Sequence, residues 1–394
     1  MTKDSSRNPA LLVMASALRA ALFPIPVITL FWKDEIGMSL SDIMVLQAIF
    51  GATTVLLEFP SGYVADRLGY RSALITGAAF WLLGWIAYAM GTTFPAMVVA
   101  EVILGIGLAF TSGADSALLF VSLQGNHAPA YGSWEGRVRA GAQISEAVSS
   151  AIGGWLYSLA PRLPFWSQLP VALAGLGTVV ATSEVAAARK GERIAHLARA
   201  WHIIRHALVR HPRLRSAMAL SVALGLSTYV AVWLIQPLMQ LRGIAPAWFG
   251  PLWAAAHLWL AAVSLSSARV AGAFGLRRTL LGCCLLAGAS YLGLGMSVAS
   301  VGIIFYLGLM TVRGLQGPIL ASVLQTDAPA DDRASVLSLN TLLFRLVSVI
   351  VLPPIGGLAD RLGIEFVLVL LGIVAAGATV GAWLVFARAH HLTV

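Results

Sequence analysis

The sequence predicts an all-α integral membrane protein of twelve transmembrane helices, arranged as two pseudo-symmetric six-helix bundles. Three observations carry this. The residues are 58% hydrophobic and only 11% charged, with a mean hydropathy of +0.83, whereas soluble domains carry roughly 25% charged residues. Apolar stretches of spanning length recur along the chain; hydrocarbon leaves every backbone polar group to be satisfied within its own segment, so a spanning helix needs roughly 20 mostly apolar residues. Finally, short motifs repeat between the two halves at nearly constant offset.

The expected spans are 10 to 32, 43 to 66, 72 to 91, 95 to 122, 138 to 160, 165 to 187, 214 to 238, 247 to 271, 277 to 297, 300 to 326, 334 to 358 and 365 to 387. The first follows nine mostly polar residues and contains Arg19. No small-residue cleavage site follows an uninterrupted apolar core, so this span reads as retained and not as a signal peptide. The ninth span contains both cysteines, Cys283 and Cys284, adjacent in sequence and suited to neither a disulfide nor a metal set; they read as small packing residues.

The net charge of +9 would suit nucleic acid, but the basic residues are sorted by side. With the N-terminus inside, Lys33, Arg162, Arg242 and Arg361 fall in outer segments. Arg19, Arg313 and Arg345 fall within spans. The rest of the 26 Lys and Arg, from Lys3 and Arg7 through Arg137 and Arg139 to Arg333 and Arg388, fall in inner segments. This asymmetry is the positive-inside rule, accounts for the basic balance without nucleic acid, and places both termini in the cytoplasm.

The longest polar stretch divides the chain into an N-terminal bundle (1–188), a basic linker (189–213) and a C-terminal bundle (214–394). Within the linker, Ile194, Leu197, Trp201, Ile204 and Leu208 recur at three- and four-residue steps between Arg193, Arg199, Arg205 and Arg210, as in a helix lying on an anionic leaflet. The halves align. Glu101 to Gly107 matches Arg313 to Ile319, with Asp115 falling on Asp327; Ser149 to Gly154 matches Leu352 to Gly357; Gly69-Tyr70-Arg71 matches Gly275-Leu276-Arg277. Corresponding spans run in the same direction, so these are parallel repeats.

Between spans 2 and 3, Gly62-Tyr63-Val64-Ala65-Asp66-Arg67-Leu68-Gly69-Tyr70-Arg71 resembles the signature loop G-x-x-x-D-R-x-G-x-R/K of the major facilitator superfamily. Read physically, Gly62 permits close helix contact, Asp66 faces a helix N-terminus, and Arg67 and Arg71 anchor at the inner leaflet. The resemblance implies that Asp66, with Arg67 and Arg71 as partners, latches the two halves on the cytoplasmic side. The second copy is degraded, with Ala268 and Gly272 in place of Gly62 and Asp66, and Gly357 to Gly363 looks like the same loop on the outer side, read as a turn with a helix-end charge pair. Arg313 to Pro318 resembles the family's span 4 motif but lies in span 10, where span 4 itself has Glu101. Pro353-Pro354-Ile355-Gly356-Gly357 resembles half of an antiporter pattern. Leu57 to Gly62 and Ser112 to Ala117 look like segments of bacterial efflux-type members.

Ionisable residues at membrane depth are costly and therefore functional candidates. Arg19, Glu58, Asp115 and Glu146 fall at depths that allow one charge cluster, and Glu101, Arg313 and Arg345 complete a set suited to proton coupling or to a static network. Trp32, Tyr229, Trp233, Gln236 and Gln240 occupy helices that line the cavity in the family, and His257 titrates near neutral pH when unperturbed. Trp166 and Trp248 read as interfacial anchors. The expectation is alternating-access transport of a small organic molecule across a bacterial inner membrane, as proton-coupled efflux, by a lipid-embedded monomer. Uptake or facilitated diffusion of a metabolite or siderophore, and a non-transporting receptor or scaffold, are the alternatives. No catalytic triad, metal set, cofactor loop or extramembrane catalytic domain is expected.

Overall fold

The computed structural model describes residues 5–123, 130–185, 204–297, 300–329 and 332–390. The linker expectations on Arg193, Ile194, Leu197, Arg199 and Trp201 lie outside the described residues. Among the described residues there is helix and no strand. The principal helices are α1 (Asn8–Ala20), α2 (Leu40–Leu68), α3 (Tyr70–Met90), α4 (Phe94–Thr111), α5 (Ala114–Ser122), α6 (Tyr131–Leu159), α7 (Leu163–Val180), α8 (Pro212–Leu241), α9 (Phe249–Phe274), α10 (Leu276–Met296), α11 (Phe305–Asp327), α12 (Arg333–Leu362) and α13 (Ile364–Ala389).

Ten helices among the described residues are long and apolar enough to cross a membrane. The other two expected spans are helical but do not meet that standard, each for a readable reason. The first is not one helix from 10 to 32, as expected, but α1 of 13 residues followed by a break. Pro24 and Pro26 supply no backbone N–H and disfavour helix in the preceding residue, and the chain resumes as Ile28–Leu30 and a π-helical turn, Phe31–Glu35. The fifth, α6, carries Glu135, Arg137 and Arg139 near its start and is diluted further along by Gln143, Ser145, Glu146, Ser149 and Ser150. Span 4 is also divided: Ser112 and Gly113 interrupt it, with Gly113 at φ 80° opening α5.

The chain forms two compact units, residues 1–190 with 245–254, and residues 191–244 with 255–394. In the first, α1 packs on α6 and α7, α3 on α4 and α7, and α2 on α4. One core gathers Leu12, Ala65, Leu74, Leu118, Leu119 and Val179 around the end of the unit that carries the motif loop. At the opposite end Phe31, Trp85, Tyr88 and Phe165 interlock, with Phe31 and Phe165 centroids 4.2 Å apart. A Cβ on Gly154 would come within 2.7 Å of the Gly250 nitrogen, a backbone approach that binds 245–254 to this unit and that only glycine permits. In the second unit α10 packs on α13 and α11, and α8 on α13 and α11. Cys283 and Cys284 are free and buried in α10.

Three helix junctions are single glycines: Gly69 between α2 and α3, Gly275 between α9 and α10, and Gly363 between α12 and α13, with φ of 96°, 81° and 84°. These conformations are open to glycine and strained for other residues. The third loop, read as a turn with a charge pair, is thus built on the same backbone device as the motif loop.

Candidate functional site

The two breaks in the first unit create helix ends at membrane depth. Arg19 stands in the last turn of α1 and Asp115 in the first turn of α5, where each charge opposes the partial charge of its own helix terminus. Their side chains meet, Arg19 Nη2 donating to Asp115 Oδ2 at 2.8 Å, while Asp115 Oδ1 accepts the Ser116 backbone N–H at 2.8 Å. A small cavity of about 40 Å³ borders the pair, walled mostly by apolar side chains such as Leu12, Leu74, Trp81 and Val179, with Ser16 and Thr111. Glu58 on α2 and Glu146 on α6 are both half-buried. The non-helical backbone after α1 is itself satisfied: Phe23 N donates to the buried Gln168 Oε1 at 3.2 Å, and Gly153 of α6 lies against the Phe23 carbonyl. Irregular backbone at this depth persists only where protein or a cavity receives it.

A second constellation lies nearer the aromatic core. Glu101 of α4 is 5% exposed. It accepts from the Gln47 amide of α2 at 3.1 Å and from the Tyr88 hydroxyl of α3. Trp32, of the π-helical turn, is fully buried against Tyr88 with ring centroids 6.3 Å apart. Two residues expected in separate roles, Trp32 and Glu101, are therefore linked through Tyr88, which sequence reasoning did not single out. The available signal was register, since Gln47 and Tyr88 are polar residues of spans 2 and 3 at about the same distance from the outer end as Glu101.

The motif loop is held from within its own unit. Arg71 Nε and Nη2 donate to the Thr182 and Val180 carbonyls at 2.6 and 2.8 Å, and Arg71 N donates to Glu184 at 3.1 Å. Arg71 thus closes the C-terminal end of α7, whose carbonyls lack helical partners. Arg277, its repeat partner, donates to the His390 carbonyl at the end of α13 at 2.7 Å. The opposite ends of the matching helices α3 and α10 are also closed by arginines, from loops that the repeat does not relate: Arg162 closes α3 through the Ala89 and Gly91 carbonyls, and Arg242 closes α10 through the Leu294 carbonyl and pairs with Glu365 at 3.0 Å. Arg67 lies over the Tyr63 ring. Gly62 departs from expectation: among the described residues a Cβ there would meet nothing within 4 Å, so no close helix contact among them requires that glycine. Asn8, unremarked in the sequence, bridges α5 and the end of α7 through Ser122 and Ser183.

In the second unit, Trp233 and Gln236 are buried, and Tyr229, Gln240 and His257 are half-buried. Tyr229 meets Trp233 and Phe344 edge-on at 5.9 and 5.4 Å. Arg345 on α12 is half-buried and Arg313 on α11 is exposed. Asp327, the counterpart of Asp115, also has a side-chain partner, His390, whose Nε2 lies 3.0 Å from Asp327 Oδ2. Trp166 and Trp248 are exposed. Among the described residues no group of His, Cys, Asp and Glu is placed to hold a metal.

The family model of the Major Facilitator Superfamily matches residues 10–352. The chain belongs to the Major Facilitator Superfamily. A multi-pass membrane transporter, not an enzyme, is what that membership makes it. Among curated relatives it is similar to the quinolone resistance protein NorA of Staphylococcus aureus, 24% identical over 143 residues, 36% of each chain. The match spans only about a third of NorA's length. Among solved structures, a mutant of the nucleoside transporter NupG superposes with a TM-score of 0.80 at 12% identity, over 97% of this chain and 100% of that one. A POT family transporter in complex with 5-aminolevulinic acid gives 0.78 at 14%, over 98% and 97%. A bacterial homologue of the human lysosomal transporter Spinster, inward-facing and unoccupied, gives 0.77 at 12%, over 99% and 99%. At these identities the likeness is one of fold.

Proposed function

We propose that this superfamily member exports a small organic molecule by alternating access of two six-helix bundles, twelve spans in all, driven by proton entry. The observation that carries the reading is Glu101: a carboxyl buried among the helices of the first unit, held by the neutral side chains of Gln47 and Tyr88. Such a group at membrane depth is functional by default, and in this conformation neutral partners leave it open to take up a proton with no ion pair to break. Arg19 and Asp115, already mutually compensated, serve as a structural joint in this scheme. Arg313 is the cation proposed to engage Glu101 during the cycle, and Asp66 is proposed as the latch between halves. Both termini face the cytoplasm of a bacterial cell, and the protein works as a monomer.

Efflux is favoured over uptake by the partial likeness to NorA, which directs the first assay to amphiphilic quinolones. The test is proton movement in proteoliposomes challenged with such compounds, comparing wild type with Glu101→Gln and Glu58→Gln. Substrate-evoked proton flux is expected in the wild type and reduced about 100-fold or more in Glu101→Gln, the scale of one lost proton-transfer group. Flux undiminished in both variants removes the carboxylates from coupling. Substrate movement without proton flux leaves a facilitator, the alternative of facilitated diffusion.

A further inference from the structure

In the first unit α1 lies closely along α6, with Gly141 against Val13 and Ala17. The corresponding helices of the second unit, α8 and α12, touch along one face only, where Asn340 Nδ2 donates to Ser221 Oγ at 3.1 Å and Phe344 covers Gly225. On the adjoining face they part, and α13 forms the third wall of a groove of about 490 Å³, within the range of about 300–1,000 Å³ typical of ligand pockets.

The groove is long and narrow. On α8 its lining runs from Arg215 through Val222 and Leu226 to Val230, one helix face over about 22 Å at 1.5 Å per residue. One leaflet of hydrocarbon is about 15 Å deep, so the groove accommodates an extended chain better than a compact molecule. Its walls offer that chain no polar bond. The Ser227 and Thr379 hydroxyls donate to the Leu224 and Ala375 carbonyls of their own helices, and the Tyr291 hydroxyl donates to the Ser227 carbonyl. Leu343, Val347 and Val351 of α12 face them.

Charge is confined to one end. Arg215 is the charged residue of the lining, exposed, with its Nη1 only 3.5 Å from the Leu208 carbonyl. It stands in the first turn of α8, whose terminus carries partial positive charge, with Arg210 and Arg213 beside it in sequence. A basic residue at the mouth of an apolar groove complements a negative headgroup joined to an acyl chain.

We propose that this groove holds one acyl chain of an anionic phospholipid from the leaflet bordering the linker, with its headgroup on Arg215. The site lies within one unit and is independent of the transport reading. It is tested on full-length protein by native mass spectrometry after exchange into phosphatidylglycerol or phosphatidylcholine of identical chains. Wild type retains phosphatidylglycerol about fivefold over phosphatidylcholine, the factor one arginine near an anionic surface supplies. Arg215→Gln equalises the two, Arg215→Lys keeps the preference, and Ala378→Phe, which fills the groove, expels both. No preference in wild type, or one unchanged in Arg215→Gln, overturns the proposal. Retention unchanged in Ala378→Phe also overturns it, by leaving the chain outside the groove. As a measurement free of folding effects, phosphatidylglycerol carrying a photoreactive group near its chain end should cross-link wild type on α8 between Val222 and Val230; cross-links confined to other helices refute the placement.

Discussion

Arg19 and Asp115 show how a membrane chain tolerates charge. Neither is in mid-helix: the breaks at Pro24 and Pro26 and at Ser112-Gly113 place each at a helix end whose dipole opposes it. Their pair should behave as a partly buried, charge-assisted bond. Arg19→Gln and Asp115→Asn are each expected to lower stability in detergent by about 1–3 kcal/mol, with the double variant costing less than the two added together. Additive losses in a thermal unfolding cycle would show the two to be independent. The positions of both residues within spans were legible in the sequence. Their union was not, because it depends on how two broken helices are set side by side. Tyr88 escaped notice for a related reason: a tyrosine in an apolar span looks like packing until its hydroxyl is seen on Glu101.

The recurring element is a one-residue glycine joint followed, in both repeats, by an arginine that closes the last turn of a neighbouring helix. Gly69 and Gly275 differ in their surroundings. A Cβ on Gly69 would press on the Glu184 carboxyl, whereas one on Gly275 meets nothing within 4 Å. Gly275→Ala should therefore cost only backbone strain, about 1–3 kcal/mol, and Gly69→Ala more, through loss of the Glu184 contact to Arg71 N. Equal shifts in melting temperature would sink this distinction. At the start of α8, His211 Nδ1 accepts the Leu214 N–H at 3.3 Å. Its pKa is lowered, first by burial and then by His206, Arg213 and His390, against an opposing pull from Asp327. The folded state thus binds this proton less readily than the unfolded chain, whose histidines titrate near 6.5. The contribution of His211 is present above about pH 6.5 and lost as pH falls toward the folded value. His211→Asn keeps an acceptor at the cap without titrating, so it should flatten the fall in melting temperature between neutral and mildly acidic pH; an unchanged slope would assign that fall to other groups.

For the whole molecule, the number of crossings turns on the first segment, since α1 alone is too short to span. If α1 and the helical segment after its break cross together, cysteines placed at Ser6 and Ser39, in a background with Cys283 and Cys284 replaced by Ala, will react with an impermeant reagent from opposite sides of oriented vesicles. Labelling from one side would reduce the count and move the motif loop to the other face. The Glu101 experiment and the lipid experiment act on different units and report separately, so one can fail without the other.

By itself the sequence determined the helical membrane class, the sites of most spans, the repeat and the family, because hydropathy, charge sorting and the Gly62 to Arg71 motif are local or periodic properties that survive without coordinates. It also carried the arginines at 71 and 277 as a matched pair, though not their task. Only the tertiary structure decided that those arginines close α7 and α13, that Arg19 meets Asp115, that Glu101 rests on Gln47 and Tyr88, and that α8 parts from α12. Each of these joins residues far apart in the chain across helices whose rotation about their own axes is set by packing, and in nearly uniform apolar spans no periodicity in the sequence records that rotation.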